Sequence, residues 1–128
     1  MNDKAQRPVV LAVDDTPENL DVVKGILSAD YRIKAATNGE AALRIVAKQL
    51  PDIILLDIEM PRMDGYQFAA HVRNDARFKD VPIIMITSRS GEKHRAKAIE
   101  VGVNDYLSKP YQEQHLVDAI ESQLGRRV

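Results

Sequence analysis

Ile53-Ile-Leu-Leu-Asp-Ile-Glu-Met-Pro-Arg-Met-Asp-Gly65 combines a run of four apolar residues with an aspartate and a loop that contains proline and glycine. Four apolar residues in succession are typical of a short strand that is covered on both faces, as in a parallel sheet. Asp57 follows them directly and would lie at the end of that strand. Because a carboxylate without a partner is costly to remove from water, the sequence predicts a compensating charge close to Asp57.

The same apolar pattern occurs twice more in the chain. Residues 9–13 and 83–86 form continuous apolar runs, and weaker strand signals cover residues 31–36 and 105–108. Apolar residues at helical spacing lie between and after these five segments. Strands that alternate with helices predict an α/β fold, a doubly wound five-stranded parallel sheet with helices on both faces. The expected strand order is 2-1-3-4-5, as in flavodoxin-like folds.

Three residues are typical of helix ends. Pro17 lies near a predicted helix start, and Asn38 is a suitable N-cap for the second helix. Gly102 follows a helical segment at the position where a left-handed C-terminal cap is needed. We expect the 128 residues to form a single domain, 1–128, with a core over about residues 8–124.

Composition limits the classes of function. The formal net charge of −1 gives no electrostatic reason to expect binding to nucleic acid or to an anionic membrane. The chain has no cysteine, which excludes disulfides, thiol catalysis and thiolate metal sites. The N-terminal residues lack the apolar segment of a signal peptide, so a cytoplasmic protein is the simplest expectation.

Polar residues follow four of the five predicted strands. Asp14 and Asp15 follow the first strand, Asp57 the third, Thr87 the fourth and Lys109 the fifth. The carboxyl ends of the strands lie at one edge of such a sheet, where the functional crevice is found. Lys109 can offset one of the three carboxylates, and Mg²⁺, which prefers oxygen ligands, can take up the rest. We therefore predict a magnesium site with an amine beside it.

This set of groups suits one reaction. A carboxylate can act as a nucleophile toward phosphorus. A metal ion, the hydroxyl of Thr87 and the ammonium of Lys109 can stabilise phosphoryl oxygens in the transition state and in the product. Asp57 is therefore predicted to be a phosphoacceptor, which explains why a carboxylate stands at the end of a buried strand.

Four motifs, in this order, resemble the receiver domain of two-component response regulators, and together they span almost the whole chain. The motifs are Val13-Asp-Asp-Thr-Pro-Glu-Asn19, Leu55-Leu-Asp-Ile-Glu-Met-Pro-Arg-Met-Asp-Gly65, Ile86-Thr-Ser88 and Asn104-Asp-Tyr-Leu-Ser-Lys-Pro110. Each motif is weak alone, whereas all four at the matching strand ends are a specific signal. The chain as a whole is similar to chemotaxis regulators. Its first half looks like receivers joined to signalling outputs, as in multidomain regulators, and residues 87–95 and 102–113 are similar to receivers attached to chemotaxis-type hybrid kinases.

The resemblance implies how the acidic residues divide their roles in a phosphorelay. Asp57 would accept a phosphoryl group from the phosphohistidine of a histidine kinase or of a phosphotransfer domain. Asp15 would bind Mg²⁺ directly and Asp14 largely through water. The backbone carbonyl of Glu59 would be a further ligand, and Mn²⁺ would be an alternative metal.

The resemblance also implies a phosphorylation-dependent switch. Thr87 and Lys109 would bind the phosphoryl group, and the Lys109–Pro110 peptide would be cis. Tyr106 would move inward as Thr87 shifts toward the phosphate, which would change the face formed by the fourth helix, the fifth strand and the fifth helix. An output protein or domain would read that face, and a phosphorylation-dependent homodimer would use it as well.

Two positions beside the site are variable in the family and tune the access of water to the acyl phosphate. They are Glu59, two residues after Asp57, and Arg89, two residues after Thr87. We expect Glu59 and Arg89 to approach each other across the pocket and to affect the lifetime of the phosphorylated state.

Simpler interpretations stay open for single residues. Asp14 and Asp15 alone would suit a turn, and Tyr106 would suit an ordinary core position. The three histidines are expected to be solvated surface residues. The basic run over residues 92–97 is expected to form a solvated helix face, with the docking of an acidic partner or of a second receiver as the functional alternative.

Three other functions fit parts of the pattern. A flavodoxin-like electron carrier would need a hydroxyl- and glycine-rich loop for the FMN phosphate, whereas residues 14–18 are largely acidic. A phosphatase of the haloacid-dehalogenase type would carry its nucleophile after the first strand, in an Asp-x-Asp arrangement. A phosphorylation-independent pseudo-receiver that acts as a scaffold is the main alternative. We expect no enzymatic turnover of an external substrate, and the sequence leaves open whether the receiver is free-standing, part of a larger protein or engineered.

Overall fold

The computed structural model describes residues 7–88 and 91–125 of the chain, in which strands and helices alternate. The strands are β1 (Val9–Val13), β2 (Arg32–Ala36), β3 (Ile53–Leu56), β4 (Ile83–Thr87) and β5 (Asp105–Ser108). The helices are α1 (Pro17–Leu27), α2 (Gly39–Lys48), α3 (Gly65–Asn74), α4 (Glu92–Glu100) and α5 (Glu113–Leu124). Each predicted strand is found within one residue of its expected bounds.

The five strands form one parallel sheet in the order β2-β1-β3-β4-β5, which confirms the predicted fold class and strand order. Strand β1 lies between β2 and β3, with Val13 opposite Ala36 on one side and opposite Leu56 on the other. Strand β2 lies on one side of β1, and β3, β4 and β5 follow on its other side. The topological switch point therefore lies between β1 and β3. Ligands bind at such a point in open α/β sheets.

The sheet is covered on both faces, which explains why its central strands are apolar without alternation. Ile53 and Leu55 of β3 belong to the core layer that includes α1 and α5. Ile54 and Leu56 belong to the layer that includes α2, α3 and α4. All four side chains are at most 2% exposed. A polar residue in either pair would therefore be removed from water, and Asp57 is the first position at which β3 can present one.

The predicted helix-end residues have the expected roles. Pro17 lies in the first turn of α1, and the side chain of Asn38 caps α2 by accepting a hydrogen bond from the backbone of Ala41 at 2.8 Å. Gly102, just after α4, has a φ of +93°, which favours glycine. Among the described residues, no helix has both the length and the apolar character needed to cross a bilayer.

Helix α4 has the least apolar contact with the core. Ala98 is its one buried residue, and the side chain of Ile99 is 65% exposed. The other helices each bury at least three residues. Because an element with few buried contacts is the least costly to displace, α4 is the helix best suited to shift relative to the sheet.

Candidate phosphoacceptor and metal site

The carboxyl ends of β1 and β3 hold two of the predicted site residues side by side. Asp14 follows β1, and its backbone N–H donates to the carbonyl of Ala36 at 3.1 Å. Asp57 follows β3, and its backbone N–H donates to the carbonyl of Val13 at 3.0 Å. These bonds continue the parallel ladders by one residue, so both aspartates have fixed backbones at the edge of the sheet.

The Asp14 carboxylate is buried, with 7% of the residue exposed, and it accepts three hydrogen bonds. Its Oδ1 accepts from the backbone N–H of Thr16 at 3.0 Å. Its Oδ2 accepts from the carboxamide of Asn19 at 3.1 Å and from the ammonium of Lys109 at 2.9 Å. Donors on both oxygens compensate the charge of this carboxylate for its loss of water.

The Asp57 carboxylate is equally buried but less well compensated. The residue is 8% exposed, and its Oδ1 accepts from the backbone N–H of Ile58 at 2.8 Å. Burial raises the pKa of Asp57 above its ordinary value of 3.8, and the charge of Asp14 adds to the increase. Lys109 and the backbone N–H groups of Ile58 and Glu59 act in the opposite direction. The ionised form of Asp57 is therefore disfavoured here and would gain from a further cation.

Three carboxylates meet at this edge of the sheet. Asp14, Asp15 and Asp57 each offer one oxygen atom, and these oxygens lie within 4.8 Å of one another. Asp15 is exposed to solvent, whereas the other two are buried. Lys109 alone leaves this cluster with an excess of negative charge. An all-oxygen donor set of this kind, with one side open to water, fits a hard divalent cation such as Mg²⁺.

Lys109 and Thr87 are joined through the backbone. Thr87 is the last residue of β4 and is fully buried, opposite Ser108 in the β4–β5 ladder. The backbone N–H of Lys109 donates to the carbonyl of Thr87 at 2.8 Å, and the Lys109–Pro110 peptide is cis. The structure thus brings both predicted phosphate-binding residues to the edge that carries the aspartates.

Of the two predicted tuning residues, only Glu59 can be placed. It is exposed and lines a cavity of about 490 Å³ together with Asp15 and with Lys97 of α4. Arg89 lies outside the described residues, so its expected approach to Glu59 stays a prediction.

Tyr106 lies on β5 with only 9% of the residue exposed, in the core layer that includes α4. The guanidinium carbon of Arg95 on α4 lies 5.8 Å from the centroid of its ring, within the range of a cation–π contact. Tyr106 is therefore in an inward position and contacts α4. An ordinary core residue and a switch residue would both be found there.

The expectation that all three histidines are solvated is wrong for His94. This residue of α4 is half-buried, with its Nδ1 3.3 Å from the hydroxyl of Tyr66 at the start of α3, and that hydroxyl also donates to the His94 carbonyl at 3.4 Å. The ammonium of Lys97 lies 4.6 Å from the centroid of the Tyr66 ring. Helical spacing contains no sign of a contact between two separate helices. His71 and His115 are exposed, as expected.

Two residues that shape the site were not identified as site residues from the sequence. Asn19 binds Asp14, as described above. Gly65 donates its backbone N–H to the carbonyl of Ile58 at 2.9 Å, and a Cβ atom at position 65 would clash with the backbone of Asp57 and Ile58. Both residues lie inside motifs that resemble those of receiver domains. Their place in these motifs was the signal in the sequence that could have indicated a role in the site.

Known proteins resemble the chain over most of its length. The family model of the response regulator receiver domain matches residues 10–121. Sensor histidine kinase CheAY of Helicobacter pylori is 37% identical over 116 residues, which are 88% of this chain and 14% of that kinase. The chain likewise spans a quarter or less of several other curated relatives.

Solved structures share the fold. A putative response regulator from Chloroflexus aurantiacus is 34% identical with a TM-score of 0.90, over 94% of this chain and 100% of that chain. The receiver domain of sensor histidine kinase PA1611 from Pseudomonas aeruginosa is 31% identical with a TM-score of 0.86, over 93% and 98%. That structure has a magnesium ion coordinated in its active-site cleft. From the family match, the fold and the acidic cluster together, we conclude that this chain belongs to the response regulator receiver domains of two-component signal transduction.

Proposed function

We propose that Asp57 accepts a phosphoryl group, in a magnesium-dependent step, from the phosphohistidine of a histidine kinase or of a phosphotransfer domain. The observation that carries this proposal is the position of one ammonium beside two carboxylates. Nζ of Lys109 lies 2.9 Å from Asp14 and 3.7 Å from Asp57, with the exposed carboxylate of Asp15 in the same cluster. A nucleophile, a cation and a metal-binding donor set are thus adjacent.

Phosphoryl transfer requires little covalent chemistry from the protein. A carboxylate oxygen of Asp57 forms a bond to phosphorus while the P–N bond of the phosphohistidine breaks. The electron pair of that bond stays with the imidazole, which takes up a proton from water. The cycle ends when water attacks phosphorus and the P–O bond to Asp57 breaks, which releases inorganic phosphate. The chain would therefore turn over its own phosphoryl group and no external substrate.

Mg²⁺, or Mn²⁺ in its place, would offset the negative charge of the phosphoryl oxygens. Asp15, Asp57 and the backbone carbonyl of Glu59 would hold it directly. Asp14 would hold it largely through water, which agrees with its geometry, since both of its oxygens already accept hydrogen bonds from protein donors.

Lys109 and Thr87 would bind the phosphoryl oxygens. The ammonium needs to move only a short way, because it already lies 3.7 Å from Asp57. A groove of about 730 Å³ lined by Asp14, Asp57 and Lys109 continues along α1, and the phosphodonor would approach Asp57 through it.

Intact mass spectrometry tests this proposal directly. The chain would be incubated with Mg²⁺ and acetyl phosphate, in parallel with Asp57→Asn and with Asp30→Asn, in which the changed aspartate lies in an exposed turn. We expect the parent and Asp30→Asn to gain one phosphoryl group, and Asp57→Asn or added chelator to abolish the gain. A folded parent that gains no mass with acetyl phosphate or with a phosphorylated kinase would instead support the pseudo-receiver scaffold.

Phosphorylation would act on the face formed by α4, β5 and α5, through Thr87 and Tyr106. The contact between Arg95 and the Tyr106 ring supports this route, as does the small buried surface of α4. An output protein or domain would bind this face, and a second copy would bind it in a homodimer. Because Lys93 and Lys97 are exposed on α4, we expect an acidic surface on the partner. Amide hydrogen exchange over residues 92–108 should change on phosphorylation, and an unchanged pattern would contradict this route.

Glu59 and Arg89 would set how long the phosphoryl group persists, by controlling the access of water to it. The test is the rate of dephosphorylation after removal of acetyl phosphate, compared between the parent, Arg89→Ala and Glu59→Ala. We expect both variants to differ from the parent. Equal rates in all three proteins would remove this part of the proposal.

A further inference from the structure

Asn19 is a half-buried residue in the first turn of α1, and its side chain contacts the Asp14 carboxylate. Its Nδ2 lies 3.1 Å from Oδ2 of Asp14. A carboxylate can only accept hydrogen bonds, so the nitrogen of the carboxamide, and not its oxygen, faces Asp14. The neighbouring residue Leu20 is 5% exposed in the core, which fixes the backbone from which this donor projects.

The hydrogen bond of Asn19 shares its acceptor atom with Lys109. Oδ2 of Asp14 accepts from the carboxamide at 3.1 Å and from the ammonium at 2.9 Å, while Oδ1 accepts from the backbone of Thr16 at 3.0 Å. Of these three donors, Lys109 is the one with a second acceptor nearby, since its Nζ also lies 3.7 Å from Oδ2 of Asp57. When Asp57 carries a phosphoryl group, the added negative charge would draw the ammonium toward it.

Without Lys109, Asp14 would depend on the two remaining donors. The backbone N–H of Thr16 holds Oδ1, and Asn19 is the side chain that would still hold Oδ2. A carboxylate held at one oxygen can rotate about its last bond, whereas one held at both oxygens cannot. Partners of this kind, which orient the groups around a metal, typically change metal affinity about 10- to 100-fold when they are removed.

We infer that Asn19 is a positioning residue, which orients the Asp14 carboxylate for the metal ion and keeps it in place when Lys109 turns to the phosphoryl group. This inference rests on the proposed function, and it assigns Asn19 no contact with the phosphoryl group itself. Its predicted effect is therefore on the affinity for Mg²⁺ and not on the rate of phosphoryl transfer at saturating Mg²⁺.

The decisive variant is Asn19→Leu, which has nearly the same size as asparagine but no donor. Asn74→Leu, at an exposed position at the end of α3, is the matched control. Asn19→Ala is a second variant, because alanine is the best helix former and cannot obstruct packing at this position. Circular dichroism and thermal unfolding in chelator would show that each variant is folded.

Mg²⁺ titration by calorimetry is the first readout. The titration is carried out in the Lys109→Met background, in which Asn19 is the side chain left on Oδ2 of Asp14. We expect a Kd about 10-fold higher when Asn19→Leu or Asn19→Ala is added to Lys109→Met, and no change when Asn74→Leu is added. The second readout is the initial rate of phosphorylation by acetyl phosphate as Mg²⁺ is varied. The Mg²⁺ concentration at half-maximal rate should rise about 10-fold, while the maximal rate stays within about 2-fold of the parent.

Two results would overturn the inference alone. The first is a Kd for Mg²⁺ in folded Lys109→Met that neither Asn19 substitution changes. The second is a lower maximal rate with an unchanged half-saturating Mg²⁺ concentration. A parent that binds no Mg²⁺ and is not phosphorylated would overturn the proposed function, and the inference with it. Measurements on the parent therefore distinguish a failure of the proposed function from a failure of the inference about Asn19.

Discussion

Lys109 pairs more closely with Asp14 than with Asp57, since its Nζ lies 2.9 Å from Oδ2 of the former and 3.7 Å from Oδ2 of the latter. The side chains of the lysine and of each aspartate are only 23% and 10% exposed. Solvent and salt therefore screen these pairs less than they screen pairs at the surface. The ammonium offsets part of the charge of the carboxylate cluster and competes with any cation that binds there.

Replacing Lys109 should have opposite effects on metal binding and on phosphorylation. In Lys109→Met we expect Mg²⁺ to bind on the order of 3- to 10-fold more tightly, because a positive charge close to the metal is removed. We expect phosphorylation by acetyl phosphate at saturating Mg²⁺ to slow by about 10-fold or more, because the phosphoryl oxygens lose a cation. Calorimetry and intact mass measure the two effects, with Lys48→Met on the surface of α2 as the control. Weaker Mg²⁺ binding in Lys109→Met would contradict this account.

Asp15 should matter for the metal and not for folding. It is the exposed member of the cluster, so its carboxylate loses little water on folding. In Asp15→Asn we expect the Kd for Mg²⁺ to rise by about 10-fold or more. In chelator we expect the free energy of unfolding to stay within about 0.5 kcal/mol of the parent. Urea titrations with and without Mg²⁺ test both statements, and a large loss of stability in chelator would show a structural role instead.

Asp57→Asn should stabilise the metal-free protein at neutral pH. Burial raises the pKa of Asp57, so the folded chain binds this proton more tightly than the unfolded chain does. The contribution of Asp57 to stability is therefore fully present below pH 3.8 and is lost as the pH rises through the folded-state pKa. At pH 7 we therefore expect the variant to have a higher free energy of unfolding and a higher midpoint of thermal unfolding than the parent.

The pH dependence of the stability difference between the parent and Asp57→Asn shows whether the ionisation of Asp57 causes that difference. Thermal unfolding of the parent and of Asp57→Asn in chelator, measured from pH 3 to pH 7, should show curves that converge at the acid end. Carboxylates that do not interact with Asp57 titrate in both proteins and cancel in the difference. A difference that is the same at both ends of the range would refute the role of Asp57 ionisation.

Gly65→Ala should destabilise the fold and disturb Asp57. A Cβ atom at position 65 would clash with the backbone of Asp57 and Ile58, and that backbone cannot move without breaking β3 pairing. We expect a loss of about 2–3 kcal/mol in the free energy of unfolding. Gly25→Ala in α1 is the matched control, because nothing lies within 4 Å of its added Cβ, and it should stabilise by about 0.5–1 kcal/mol. Urea unfolding compares the two, and equal effects would show that the clash at position 65 is relieved.

Arg73→Ala should lower stability without changing the site. The half-buried guanidinium donates to the carbonyls of Val81 at 2.7 Å and Gly102 at 2.9 Å, and to Oδ1 of Asn104 at 2.8 Å. These groups lie in the loops before β4 and β5, at the amino ends of these strands. The carboxylates of the site lie at the opposite, carboxyl end of the sheet. We expect a loss of about 2–3 kcal/mol and an unchanged Kd for Mg²⁺. Arg77→Ala removes the ion pair between Arg77 and Asp75 at the surface. We expect it to lower the free energy of unfolding by clearly less than Arg73→Ala does.

The positions of the strands and the residues at their ends could be predicted from the sequence. Strands covered on both faces must be apolar throughout, so residues 9–13, 53–56 and 83–86 were recognisable without any structure. The first polar residue after each run then marks the edge of the sheet. Asp57, Asp14 and their neighbours were found in this way, because each signal is contained in a few consecutive residues.

The contacts within the site could not be predicted in the same way. The ion pair of Lys109 with Asp14 joins residues that are 95 positions apart, and the contact of His94 with Tyr66 joins residues that are 28 apart. Distances of this kind depend on how the helices pack against the sheet, and a local pattern contains no information about that packing.

Local sequence patterns thus indicate the fold class, the positions of the strands and the groups that meet at their carboxyl ends, because burial and backbone geometry act on neighbouring residues. The partner of each group follows from tertiary packing instead: Lys109 lies nearer to Asp14 than to Asp57, and Asn19 binds the same oxygen of Asp14. These choices depend on differences of less than one ångström between side chains, which arise only once the core has packed.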